Sequence, residues 1–187
     1  DIVIDCRGPA AGDLLGPLGL SVGRQTSPGL LVISEPLPSC FDLVVHTPGV
    51  NLRPDGGGRV RLAADDLDDR LETEVAAGSP LTVDSRICRE FTQEIVRRGC
   101  AVLPALRGTQ IEAVRLGWRA LPGDNLSAVG PVPDVPGYYL AFTHSGVTLG
   151  PLLGRLITQE LTTGRVPPEL ADFRPDRLLS SVPTLRE

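Results

Sequence analysis

The chain has 187 residues, 41% of them apolar and 22% charged, with a net charge of −5. That length holds one good-sized domain or two small ones sharing a boundary, the composition excludes a disordered segment, and the acidic balance disfavours a nucleic-acid-binding surface. No run approaches the roughly 18 apolar residues of a membrane helix, and 21 Gly with 18 Pro point to many turns and short elements rather than a helix bundle.

In chain order, Asp1-Ile2-Val3-Ile4-Asp5-Cys6 reads as a buried strand. There is no Met in the sequence, and a strand at the very start leaves polar backbone unpaired, so the expectation is a piece of something longer. Gly8 to Gly12 reads as a turn leading into a short helix to about Leu18. Extended chain is expected from Val22 to Glu35, interrupted at Pro28-Gly29, with short strands at Leu43 to His46 and Val50 to Arg53 around Pro48-Gly49. Pro54-Asp55-Gly56-Gly57-Gly58 signals a hairpin, with Arg59 to Ala63 as its returning strand. Helices are predicted over Asp65 to Ala77 and Asp84 to Arg98, the second with Ile87, Phe91, Ile95 and Val96 on one face and Gly99 just past its end. Strands follow at Thr109 to Trp118 and Gly137 to Phe142, then a helix over Thr148 to Thr163 and an irregular tail from Pro167 to Glu187. The pattern is α+β: a mixed, largely antiparallel sheet with helices on one face, flanked by strand and helix pieces of a second layer.

The four cysteines are far apart, no C-x-x-C exists and only 2 His are present, which argues against a zinc site and for buried free thiols in a reducing cytosol. All 18 basic residues are Arg, and with the Ala, Gly and Pro excess this points to GC-rich bacterial coding.

Three places invite a functional reading. The glycines after the first strand (Gly8, Gly12, Gly16, Gly19) fail the G-x-G-x-x-G spacing of a dinucleotide loop, since Ala10 and Asp13 occupy the required positions and Pro9 removes a donor. On the residues alone a plain strand–helix turn is the reading, with a close approach of backbone to a ligand at Gly8 as the alternative. His144-Ser145-Gly146 after a strand looks like a hydrolase nucleophile elbow, but Thr143 and Val147 stand where glycines are needed and no His follows residue 144. What survives is a turn feeding a helix N-terminus, where the amides of Ser145 to Leu149 and the helix dipole can meet an anionic or carbonyl oxygen, unless Ser145 or Thr148 merely caps the helix. Arg119, at the end of the 109–118 strand, offers a planar fork for a carboxylate, or a surface pair with Asp124. The acids Asp65, Asp66, Asp68, Asp69, Glu72 and Glu74 read as a solvated helix face.

Together these sites resemble the FAD-dependent D-amino-acid oxidase and glycine oxidase-like family, often called the DAO family. Ile2 to Ala11 resembles its strand ending in C-A-G-A-W, and Val50 to Arg59 its v-y-l-R-P-d-g-d-G-r hairpin. Gly117-Trp118-Arg119 with Asp124 and Gly130 resembles G-x-R-P-x-t-p-D-g-x-P-x-x-G, with Ala120 in place of the Pro and Asn125-Leu126-Ser127 in place of Gly-x-Pro. Gly137 to Gly146 and Pro151 to Leu156 resemble G-l-y-x-a-x-G-H-S-G and P-x-x-G-r-l, with Thr143 for the first Gly of the turn, and Phe173 to Arg177 resembles f-x-p-x-R-f. The resemblance runs from residue 1 to about 178 and covers roughly the C-terminal half of such a protein.

The resemblance implies oxidation of an amine or amino acid by hydride transfer to FAD. It implies a division into an edge of the FAD-binding layer (residues 1–23), a substrate domain (24–118) and a return to the FAD-binding layer (119–187). Arg119 would clamp a substrate carboxylate, Gly8 would let the backbone pass close to the cofactor, and the backbone of His144, Ser145, Gly146, Val147, Thr148 and Leu149 would face the flavin's carbonyl edge. The implied partners are an N-terminal FAD-binding half or partner subunit carrying G-x-G-x-x-G, and a small amino-acid or amine substrate, with no nucleic acid and no membrane. Alone, the chain is expected neither to bind FAD tightly nor to turn over. The alternative is a non-catalytic ligand-binding or subunit-interaction module that kept the substrate-domain fold.

Overall fold

The computed structural model describes residues 1–25, 27–38 and 41–181. Cys40 and the tail beyond Ser181 lie outside them. The chain divides into two compact units, residues 1–26 with 119–187 and residues 27–118. The first unit begins with β1 (Val3–Asp5), 3-10 turns at Gly8–Ala10 and Asp13–Leu18, β2 (Leu20–Val22) and β3 (Arg24–Gln25). The second holds β4 (Pro28–Ser34), β5 (Val45–His46), β6 (Asn51–Pro54), β7 (Val60–Ala63), α1 (Asp65–Ala76), α2 (Arg86–Val102) and β8 (Ile111–Trp118). The chain then returns to the first unit with β9 (Leu121–Pro122), β10 (Ala128–Pro131), β11 (Tyr138–Phe142), α3 (Gly146–Thr163) and β12 (Leu179–Ser181).

The 27–118 unit is an antiparallel five-stranded sheet in the order β5-β6-β7-β4-β8. Strand alternation sends Leu30, Val32, Leu52, Val60 and Leu62 to one face, where they form a core with Leu67 and Leu71 of α1 and Cys88, Phe91 and Ile95 of α2. Pro28-Gly29 does not interrupt the extended chain but opens β4, paired with Gly117 and Trp118. Gly99 is not a helix stop. It is buried inside α2, where a Cβ would lie 2.2 Å from Leu62 Cδ2, so the missing side chain lets helix and sheet approach. Nor are the acids of α1 all solvated. Asp66 pairs with Arg98 at 2.7 Å, and Asp68 is buried, its carboxylate accepting the Leu30 amide at 2.9 Å. That bond satisfies a strand donor that would otherwise be buried without a partner.

In the other unit β1 lies parallel to β11, Val3 opposite Tyr138, and β10 runs antiparallel on the far side of β11. Tyr138, Leu140 and Phe142 face a core with Ala11 and Leu15, whereas Tyr139 meets Leu153, Leu156 and Ile157 of α3 on the other face. The first strand is not the buried strand its composition suggests: Ile2, Val3 and Ile4 are 55%, 57% and 42% exposed and only Asp5 is buried, because β1 is an edge of this sheet. The tail before Ser181 is not wholly irregular either, since β12 pairs antiparallel with β2. Glu160 of α3 is buried and bound by both Arg174 nitrogens (3.0 and 2.9 Å) and by the Tyr139 hydroxyl (2.7 Å). Burial opposes its ionisation, but these donors outweigh it and hold its carboxyl below the ordinary value. Among the cysteines, Cys88 is buried as expected, but Cys6 is exposed and Cys100 half-buried. No helix among the described residues is long and apolar enough to cross a membrane.

Candidate functional site

The site is built where β1 and β11 end side by side. A single carboxylate organises the segment leaving β1. Asp5, 3% exposed, accepts the Arg7 amide (3.1 Å), the Arg7 guanidinium (3.0 Å at each oxygen), the Gly12 amide (2.9 Å) and the Tyr138 hydroxyl. Burial alone would raise its pKa, yet the hydrogen bonds from Arg7 and Tyr138 and the two amides hold it well below the usual carboxylate range. Tyr138, through burial and then its bond to Asp5, is pushed up to about 12 and stays a neutral donor. Both ends of the 6–12 segment are thereby tied to one point. Gly8, inside it, sits at φ +62, a left-handed conformation that a side chain would strain. Cys6 is pushed up by desolvation and then by the Asp5 charge, so it is a protonated thiol rather than a reactive thiolate.

The segment leaving β11 enters α3. Thr143, where the resemblance calls for Gly, shares a 2.8 Å hydrogen bond with Ser127, itself one of the substituted positions after Asp124. Two departures from the motif are thus in contact with one another. No side chain caps α3, so neither Ser145 nor Thr148 is a capping residue. The amides of Gly146, Val147 and Thr148 belong to the first turn and have no acceptor within the helix. The Leu149 amide, expected among the free ones, instead donates to the Ser145 carbonyl at 2.8 Å.

Gly8, His144, Gly146 and Val147 come together around a concavity of about 500 Å³. Ser145, Thr148 and Leu149 flank it without lining it, and Arg119 is not among its lining residues. Cys6, Ala120, Ala141 and Thr143 complete one wall, and Gly150, Leu153, Gly154 and Ile157 of α3 the other. Cβ atoms on Gly146, Gly150 or Gly154 would meet nothing within 4 Å, so this is a cradle that side chains would fill. The four-residue spacing of these three glycines puts them on one helix face, a signal present in the sequence but passed over there. Arg119 is half-buried, and Asp124 is held by Arg177 at 2.6 Å.

Comparison with known proteins places these features in context. The model of a family described as FAD dependent oxidoreductase, DAO, matches residues 1–160. An uncharacterized oxidoreductase of Bacillus subtilis (strain 168), YurR, is 30% identical over 94 residues, covering 49% of this chain and 25% of that protein. Among solved structures, glycine oxidase from Geobacillus kaustophilus superposes with a TM-score of 0.70 at 22% identity, over 93% of this chain and 45% of that one. L-Proline dehydrogenase from P. horikoshii gives 0.69 at 18% identity, and iminodiacetate oxidase from Chelativorans sp. BNC1 gives 0.68 at 18%; each match covers 94% of this chain and 46% of the other. The chain therefore spans less than half the length of the proteins it matches, and at these identities the structural likeness speaks for the fold.

Proposed function

The chain belongs to the FAD dependent oxidoreductase (DAO) family, and from that premise we propose that it forms the flavin-ring side and the substrate domain of an enzyme that oxidises an amine or amino acid. The observation that carries the reading is the concavity lined by Gly8 and by the glycine face of α3, with uncapped first-turn amides at its mouth. These residues fit a flat, electron-accepting ring. The glycines leave room for it, and the amides of Gly146, Val147 and Thr148 donate toward an electronegative edge, with the helix dipole favouring negative charge there. When bound, FAD would supply the hydride acceptor for oxidation of the substrate's C–N bond.

The remaining work falls to the chain's own side chains and amides. The Asp5 clamp keeps Gly8 in its left-handed conformation, so the segment presents backbone rather than a side chain. Leu153, Ile157 and Ala141 make the floor apolar, which excludes water and strengthens the amide dipoles. Arg119 is assigned the substrate carboxylate, as a two-point anchor that orients the α-carbon. No G-x-G-x-x-G occurs in the 187 residues, so we assign the pyrophosphate to a segment or subunit outside them.

The test is anaerobic mixing of the flavin-loaded full-length protein with amino acids and with the corresponding amino-acid amides. Bleaching of the visible flavin band by an amino acid, and much slower bleaching by its amide, supports the reading. A flavin that no amine or amino acid reduces refutes it.

A further inference from the structure

The register of β10 on β11 pairs Ala128 with Phe142, so the next residues outward, Ser127 and Thr143, stand opposite each other where β11 ends. Their hydroxyls share a hydrogen bond of 2.8 Å. Ser127 is held from behind, because Arg177 donates to its carbonyl at 2.8 Å and to the Asp124 carboxylate at 2.6 Å. Alternation, carried one residue past the strand end, puts Thr143 on the same side as Ala141, and both line the concavity. Ser127 does not line it. Thr143 is the only hydroxyl among the lining residues, on a wall otherwise made of glycines, aliphatic side chains, the Cys6 thiol and His144.

Two hydroxyls carry two protons, and the bond between them uses one. Neither hydroxyl makes another hydrogen bond among the described residues. When Ser127 donates, the remaining proton is on Thr143 at the concavity, and Thr143 is the stronger donor because its oxygen already accepts a bond. The branched Cβ of Thr143 restricts its χ1, so the hydroxyl is set before a ligand arrives. Both residues are half-buried, and a donor in apolar surroundings acts more strongly than one in water. We propose that Thr143 donates a hydrogen bond to the bound flavin ring, with Ser127 as the positioning residue that directs its proton. This rests on the flavin reading above. It adds to the backbone amides a side-chain donor that the family motif, with Gly at this position, does not have. A hydrogen bond to a ring strengthens as the ring gains negative charge, so Thr143 favours the reduced state.

The test is the flavin reduction potential and FAD dissociation constant of the full-length protein and of Thr143→Val, Thr143→Ser and Ser127→Ala. Valine keeps the shape and removes the hydroxyl; serine keeps the hydroxyl. The proposal expects Thr143→Val to shift the reduction equilibrium about 3- to 10-fold toward oxidised flavin, or about 15–30 mV for a two-electron couple, with FAD bound about threefold more weakly or worse. Ser127→Ala should move the potential in the same direction by less, and Thr143→Ser should stay near the parent. Should Thr143→Val not fold, Ser127→Ala carries the test, since Ser127 lies outside the concavity. A hydroxyl pair that only ties two strand ends together would lower the melting temperature of the flavin-free variants and leave the potential unmoved, and that outcome overturns the proposal. So does a Thr143→Ser variant no closer to the parent than Thr143→Val. A parent that binds no flavin sinks the flavin reading itself, whereas a flavin-loaded parent with indifferent variants sinks this proposal alone.

Discussion

The hydroxyl of Tyr138 donates to the carboxylate of Asp5 across 133 residues of sequence, fastening the start of β11 to the end of the edge strand β1, from which the chain runs on to Cys6 and Gly8 at the concavity. Asp5 carries the greater part of this junction, with five donors on one buried carboxylate.

Asp5→Asn should therefore lower stability by about 2–4 kcal/mol at neutral pH, because Arg7 and Tyr138 lose a charged acceptor in a desolvated place. The folded-state pKa lies below the ordinary 3.8. The contribution is then fully present above about pH 5 and is lost as pH falls through 3.8 and below. Melting temperature followed from pH 7 to pH 3 should fall less steeply in the variant than in the parent. Asp66, Asp124 and Glu160, also depressed, keep a residual slope in both. Parallel slopes would remove Asp5 from the account.

Gly99→Ala separates helix propensity from packing. Propensity alone predicts a gain of about 1 kcal/mol in the interior of α2. The added Cβ, however, would overlap Leu62, whose buried side chain would have to shift against the core packed around it. The overlap should win, with a net loss of about 1–3 kcal/mol in chemical denaturation.

Much of the fold was legible in the sequence. The 3.6-residue period of α2 and the Pro-Asp-Gly-Gly-Gly hairpin signal depend on local chemistry, and both elements are present, although α2 runs from Arg86 to Val102 rather than ending at Arg98. What escaped depends on partners distant in the chain. Gly99 reads as a stop until Leu62 is known to lie against it. Asp68 reads as a solvated acid until the Leu30 amide is placed beside it. β12 is invisible without β2, 157 residues away in the pairing of Leu179 with Val22. At the site, the glycine turn after β1 and the helix entry at 145–148 were readable as strand ends meeting glycine. Their convergence on one concavity rests on the parallel pairing of β1 with β11, which no local pattern encodes.

Arg119→Lys, in the full-length enzyme, keeps the charge and removes the planar fork. If Arg119 anchors a substrate carboxylate, kcat/KM should fall by about 30- to 1000-fold for a carboxylate substrate, toward the lower end because Ala120 leaves the following loop less stiff than Pro would. Unchanged turnover with a large loss of stability would make Arg119 a structural residue.

The most direct measurement of the central claim is the flavin content of the full-length protein carrying Gly154→Leu. The position is in α3, faces the concavity, and has nothing within 4 Å of a built Cβ. Leucine therefore gains helix propensity and fills the cradle without disturbing the core. The account predicts an unchanged or higher melting temperature together with a marked loss of bound flavin, read as the ratio of visible to protein absorbance. A variant that folds normally and retains its full complement of flavin, with an unaltered spectrum, would contradict it.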